Sequence, residues 1–115
     1  MRRGEVWWAD LPVPAGRRPV VLLSRDEAYA VRELVTVAPI TTRVRRIPTE
    51  VPLGPAEGLP KICVVNLDTL TTIPRRTLTQ AIGPLPPEKL AAVERALMFA
   101  LGLGHRQPLT GWPTV

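Results

Sequence analysis

The feature that most constrains this chain is a change in the period of its apolar residues. As far as Ile82 they come in short β-branched and aromatic runs of strand length, separated by proline and glycine. From Pro86 the spacing becomes helical. Val6–Ala9 in RGEVWWADL forms a first strand that stops at Leu11-Pro12. Pro12 to Arg18, with two prolines, Gly16 and two arginines, reads as a loop. Val20–Ser24 is next, an apolar run expected to be buried on both faces. Arg25–Glu33 is charged and reads as a loop with a helical turn, and Leu34–Ala38 is the third strand. Thr49–Val51, bracketed by Pro48 and Pro52, suits an edge strand. Lys61–Leu67 and Leu78–Ile82 complete the strand pattern. In PPEKLAAVERALMFALGLG, Leu90, Val93, Leu97 and Leu101 share one face, with prolines at the start and Gly102 and Gly104 at the end. These elements predict a mainly β chain with a C-terminal α-helix, a small curled barrel that the helix caps. One domain is expected over residues 1–104, with 105–115 as an irregular tail.

The chain carries a net charge of +5, and 13 of its 15 basic residues are arginine. Guanidinium groups bind phosphate bidentately and stack on bases, which favours a polyanionic partner. No segment has the length of apolar sequence that a membrane span needs, and Glu5 and Asp10 break up the stretch after the basic N-terminus. A cytoplasmic protein with no membrane partner is expected. The single cysteine, Cys63, sits in the apolar run Ile62–Val65 and reads as a core residue, not a reactive thiol.

Several chemistries lack the residues they need. One histidine and one cysteine cannot build a typical zinc site, and there is no Walker A or dinucleotide fingerprint. A Ser-His-acid triad would depend on His105 in the expected tail, and one histidine per chain rules out a two-histidine ribonuclease. No cofactor or metal is implied. A catalyst built from this chain works with Arg, Thr, Ser and carboxylates, through electrostatic stabilisation and an unusual base.

The strings RGEVWWADL, Arg18-Pro19-Val20-Val21-Leu22-Leu23-Ser24, Val37-Ala38-Pro39-Ile40-Thr41-Thr42-Arg43 and GLPKICVVNLDTLTTI occur in the order and spacing of MazF/PemK toxins. With the Leu78–Leu103 ending, the resemblance covers residues 3 to 103. It implies an SH3-like or CcdB-like β-barrel, a homodimer, and a toxin–antitoxin endoribonuclease that cuts single-stranded RNA without metal. In that chemistry the substrate's 2′-hydroxyl attacks, leaving a 2′,3′-cyclic phosphate and a 5′-hydroxyl. A cognate acidic antitoxin is the second partner it implies.

The resemblance places the catalytic arginine at Arg18 and the catalytic hydroxyl at Thr41, with Thr42 the alternative one position on. PemK members carry an Arg and an Asp in the strand that corresponds to Cys63–Asp68. Asp68 matches the acid, as a base or a base-reading acceptor, although a turn Asp after a strand explains it equally well, and Asn66 stands at the Arg position. Thr71 replaces another usual Arg, and the loop before Arg18 is shorter than in many relatives. Arg17, Thr42, Arg43, Arg45, Arg46 and Asn66 are the expected RNA contacts, although a solvated charge run explains the arginines equally well. Trp7 and Trp8 should face opposite ways on a strand, one toward the core and the other free to stack a base or join a dimer interface. Three other functions stay open: a CcdB-like gyrase poison, a non-catalytic RNA or antitoxin binder, and a generic SH3-like module. The gyrase poison rests on Gly111-Trp112-Pro113, which is in the wrong order for a Trp-Gly-Ile ending.

Overall fold

In the computed structural model, which describes residues 1–103, seven strands precede a C-terminal helix. They are β1 (Glu5–Asp10), β2 (Arg17–Leu22), β3 (Leu34–Thr41), β4 (Glu50–Leu53), β5 (Cys63–Asn66), β6 (Thr71–Pro74) and β7 (Leu78–Pro84). A single helical turn, α1 (Ala28–Val31), separates β2 from β3, and α2 (Pro87–Leu101) ends the described chain. The expected tail, with Gly104, His105 and Gly111-Trp112-Pro113, lies outside the described residues.

All pairings are antiparallel, and the strand order is β4-β5-β3-β2-β1-β7 with β6 beside β3. The long strand β3 organises the sheet. Its first half pairs with β6 (Val35 opposite Ile73), and its last residues pair with β5 (Ile40 opposite Val65). The path runs between β4 and β7 as an open, curled sheet, so the mainly β expectation holds in a barrel-like form that is not fully closed among the described residues.

Strand alternation divides the apolar residues between two cores. Val6, Val21, Ala38, Ile40 and Val65 face one cluster, which α2 covers through Val93 and Ala96. Ala9, Val20, Leu22, Val35, Val37 and Ile73 form the other. Val20–Leu23 is therefore buried on both faces, as its unbroken apolar sequence predicts.

Several boundaries differ from the sequence reading. Arg17 and Arg18 belong to β2 and not to the preceding loop, because the ladder with β1 continues through Ala9–Arg18 and Asp10–Arg17. β3 runs past Ala38 through Pro39 to Thr41, and β7 extends past Ile82 to Pro84. β4 passes through Pro52, which an end strand tolerates because the missing N–H needs no partner on its open side. β6 is invisible to periodicity because its four residues, Thr-Thr-Ile-Pro, are too few to show alternation. Leu101, expected on the buried helix face, is 53% exposed. At ~3.6 residues per turn it lies about 80° around the axis from Val93, whereas Ala100 returns to the stripe. Gly102 ends the helix at φ 68°, as expected of a left-handed cap.

Candidate active site

Arg18 is the second residue of β2 and Thr41 the last of β3, so antiparallel pairing brings these two strand ends to the same end of the sheet. Both line an open groove of about 1050 Å³ between the β1–β2 loop and β6. Four arginines line it (Arg18, Arg43, Arg45 and Arg76) against a single carboxylate, Asp10. Thr69, Thr71, Thr72 and Thr77 add hydroxyl groups, and Asn66 adds an amide. Such a surface attracts an extended polyanion and offers neutral donors beside the cations.

Individual contacts fix the Arg18 and Thr41 side chains. The Arg18 Nε donates to the Ala15 carbonyl at 2.9 Å, which ties the guanidinium to the β1–β2 loop. Its two terminal nitrogens have no partner among the described residues. Thr41 Oγ1 accepts from the Arg43 amide at 3.1 Å, closing the turn that leads out of β3. This contact is the turn-capping role that residue type alone predicts, and it leaves the hydroxyl proton free to donate.

The basic loop after β3 is shaped by Glu50, a residue that no sequence motif marks. Its Oε1 accepts from the Arg45 and Arg46 amides at 2.9 and 3.0 Å, while Arg46 adopts a positive φ of 61°. One carboxylate thus folds the loop so that the Arg43 and Arg45 side chains line the groove. Arg46 is exposed but does not line it.

Asp68 lies outside the groove lining. Its Oδ2 accepts from Thr49 Oγ1 at 2.6 Å and its amide donates to Asn66 Oδ1 at 2.9 Å, so it braces the turn after β5. Asp10 and Arg76, which do line the groove, are not singled out by sequence. The one signal for Arg76 is the Arg75-Arg76 pair after Pro74, and Asp10 has only its place at the end of the first strand.

A second, smaller recess of about 240 Å³ shares Arg18 and Thr41 with the groove and adds Arg17, Thr42, Lys61 and Trp8. Arg17 lies over the Trp8 ring at 4.5 Å and donates to Gln80 Oε1 at 2.9 Å. Trp7 faces the opposite way, packs against the second core and donates to Glu5 Oε1 at 2.9 Å. The expected split of the tryptophans is therefore present, although both remain half-buried. Cys63 is buried, and burial pushes its thiol pKa up, which keeps it protonated and unreactive. Among the described residues, no group of three or more His, Cys, Asp or Glu could hold a metal ion, and no helix is long and apolar enough to cross a membrane.

Residues 2–101 match the family described as PemK-like, MazF-like toxin of type II toxin-antitoxin system. The chain belongs to this family. It is 39% identical over 100 residues to a probable endoribonuclease MazF5 of Mycobacterium tuberculosis, covering 86% of this chain and 91% of that one. It is 45% identical over 85 residues to the M. tuberculosis endoribonuclease MazF3, covering 74% and 79%. Among solved structures, the M. tuberculosis toxin MazF-mt6 superposes with a TM-score of 0.80 at 37% identity, covering 88% of this chain and 99% of that one. A mycobacterial endoribonuclease in complex with its cognate antitoxin gives 0.81 at 28% identity, covering 92% and 99%. The MazF/PemK resemblance read from the motifs is thereby established over nearly the whole described chain.

Proposed function

We propose that this toxin, an endoribonuclease like its relatives, cuts single-stranded RNA in the cytoplasm by transesterification and without a metal ion. The observation that carries this reading is the arginine-lined groove in which Arg18 and Thr41, on adjacent strand ends, are the shared wall. The 2′-hydroxyl of the RNA attacks the adjacent phosphorus, the bond to the 5′-oxygen breaks, that oxygen takes a proton from water, and a 2′,3′-cyclic phosphate and a 5′-hydroxyl remain. Negative charge grows on the non-bridging oxygens, where the free terminal nitrogens of Arg18 can donate two parallel hydrogen bonds. Thr41 donates a third. Asp10, the one carboxylate among the described residues lining the groove, takes the 2′-hydroxyl proton. Arg43 and Arg45 hold neighbouring phosphates. Arg17, Arg46, Thr42 and Asn66 are assigned to RNA contacts outside the reacting centre, and Asp68 to bracing the turn that carries Asn66.

Purified protein incubated with single-stranded RNA in EDTA should yield fragments with cyclic phosphate and 5′-hydroxyl ends, read by mass spectrometry. Intact RNA in EDTA that is cut once magnesium is restored would overturn the metal-free chemistry. Protein that traps gyrase on DNA and leaves RNA uncut would favour the gyrase-poison alternative.

The toxin is further assigned to a homodimer. Met98, Phe99 and Leu101 are exposed around the end of α2, an apolar patch that a partner surface would cover. An acidic antitoxin is the natural inhibitor of a groove with this charge, and it acts as an extended peptide that mimics the phosphate track. RNA and antitoxin should then compete, and both affinities should fall as salt rises. With antitoxin free at about 100 times its own Kd, mass action raises the apparent RNA Kd about 100-fold. Fluorescence anisotropy on a cleavage-dead variant reads this directly. A ternary complex with undiminished RNA affinity would instead require inhibition at a distance.

A further inference from the structure

The groove and the small recess meet at Arg18 and Thr41, which line both. Side chains alternate along a strand, so Arg18 and Arg17 point to different faces of β2, as do Thr41 and Thr42 at the end of β3. The cores have the same parity: Val20 and Leu22, in step with Arg18, belong to one cluster, and Val21, in step with Arg17, belongs to the other. An RNA strand whose scissile phosphate sits at Arg18 and Thr41 therefore straddles the end of the sheet. One flanking nucleotide occupies the large groove and the other meets the recess.

We propose that the recess of Trp8, Arg17, Thr42, Pro60 and Lys61 is a single-base subsite that selects a keto base, guanine or uracil, next to the cut. This inference rests on the nuclease reading for its placement of the scissile phosphate. At about 240 Å³ the recess is smaller than the roughly 300–1,000 Å³ of drug-sized sites and suits a single base. Its floor is already ordered. Arg17 lies over the Trp8 ring at 4.5 Å and is hydrogen-bonded to Gln80, so its exposed side can receive a base as a third layer. Pro60 and Leu59 supply an apolar wall. The charged groups lining the recess are Arg17, Arg18 and Lys61, with no carboxylate among them, and Thr41 and Thr42 add hydroxyls. Cationic donors match guanine O6 and uracil O4, the positions at which adenine and cytosine carry an amino donor. The large groove sets Asp10, Asn66 and several threonines beside its arginines, so it offers acceptors as well as donors.

The test compares wild type with Arg17→Ala and Lys61→Ala on short RNAs varied one base at a time on each side of the cut. Wild type should prefer guanine or uracil about tenfold at one flanking position, and each variant should shrink that preference to roughly twofold. Binding is measured in parallel by anisotropy on the same oligonucleotides with a 2′-deoxy sugar at the cut, which cannot transesterify. If wild type binds with the keto preference and the variants lose it, the subsite stands even where no RNA is cut, and only the nuclease reading falls. If the variants fold by circular dichroism and keep the wild-type base profile at every position, the recess is not a base site. A wild-type preference for adenine or cytosine at both flanking positions would overturn the keto assignment.

Discussion

Arg18→Ala is expected to lower RNA cleavage by about 10²-fold or more while leaving the fold and most RNA binding intact. The size comes from the charge that develops in the reaction. A donor placed at growing phosphate charge acts more strongly on the transition state than on the ground state, and removing one such donor costs roughly 10²–10³-fold in rate. The side chain is exposed and its one hydrogen bond among the described residues is from Nε to Ala15, so truncation opens no cavity in the core. Binding survives because Arg43, Arg45 and Arg76 still line the groove. Arg18→Lys should recover little, because an ammonium is a point charge and cannot reproduce two parallel donors. Thr41→Ala should cost less, and Thr41→Ser should restore most of that loss, because the hydroxyl also closes the turn to Arg43. The measurement is single-turnover cleavage of saturating RNA, with circular dichroism and anisotropy on the same samples. Wild-type rates in a folded Arg18→Ala protein would remove Arg18 from the chemistry.

Sequence periodicity carries the fold well wherever packing obeys local pattern. The run Val20–Leu23 announces a strand buried on two faces, and Leu90, Val93 and Leu97 announce the face of α2 that covers the sheet. Periodicity is silent where pairing, not composition, decides the structure. β6 is four residues long and exists because β3 offers it an edge, and Arg17 and Arg18 are strand residues because β1 continues opposite them. The same division holds at the site. Arg18 and Thr41 are legible because the motifs fix them by order along the chain. Asp10, Arg76 and Glu50 are not, since each acquires its place from a neighbour distant in sequence or from a turn. Asp68 shows the converse case. It matches a family position, yet the fold gives its carboxylate to Thr49.

Elimination among the groove's lining residues points to Asp10 as the proton acceptor, and Asp10→Asn should be the second most damaging change at the site. The groove's titratable lining residues are Asp10 and four arginines. Guanidinium stays protonated and makes a poor base, so Asp10 is the residue there equipped to accept the 2′-hydroxyl proton. Positioned general bases contribute about 10²–10⁴-fold, and Asn, of nearly the same shape, removes the basicity while keeping an acceptor oxygen. A structural role for Asp10 would also lower activity, since it sits opposite Arg17 in the β1–β2 ladder, so the rate alone does not discriminate. The split between binding and turnover does. A base acts on the transition state, so its loss should fall on the single-turnover rate and not on RNA affinity. In Asp10→Asn the rate should drop by about 10²-fold or more, with a scissile-RNA affinity close to wild type. Asp68→Asn gives the control, because its carboxylate serves the turn and not the groove. It should soften the hydrogen bond with Thr49, costing about 1 kcal/mol or less, and change cleavage by no more than a few fold. If Asp10→Asn cleaves close to the wild-type rate and Asp68→Asn does not, the base is Asp68 and the RNA must reach beyond the groove to meet it.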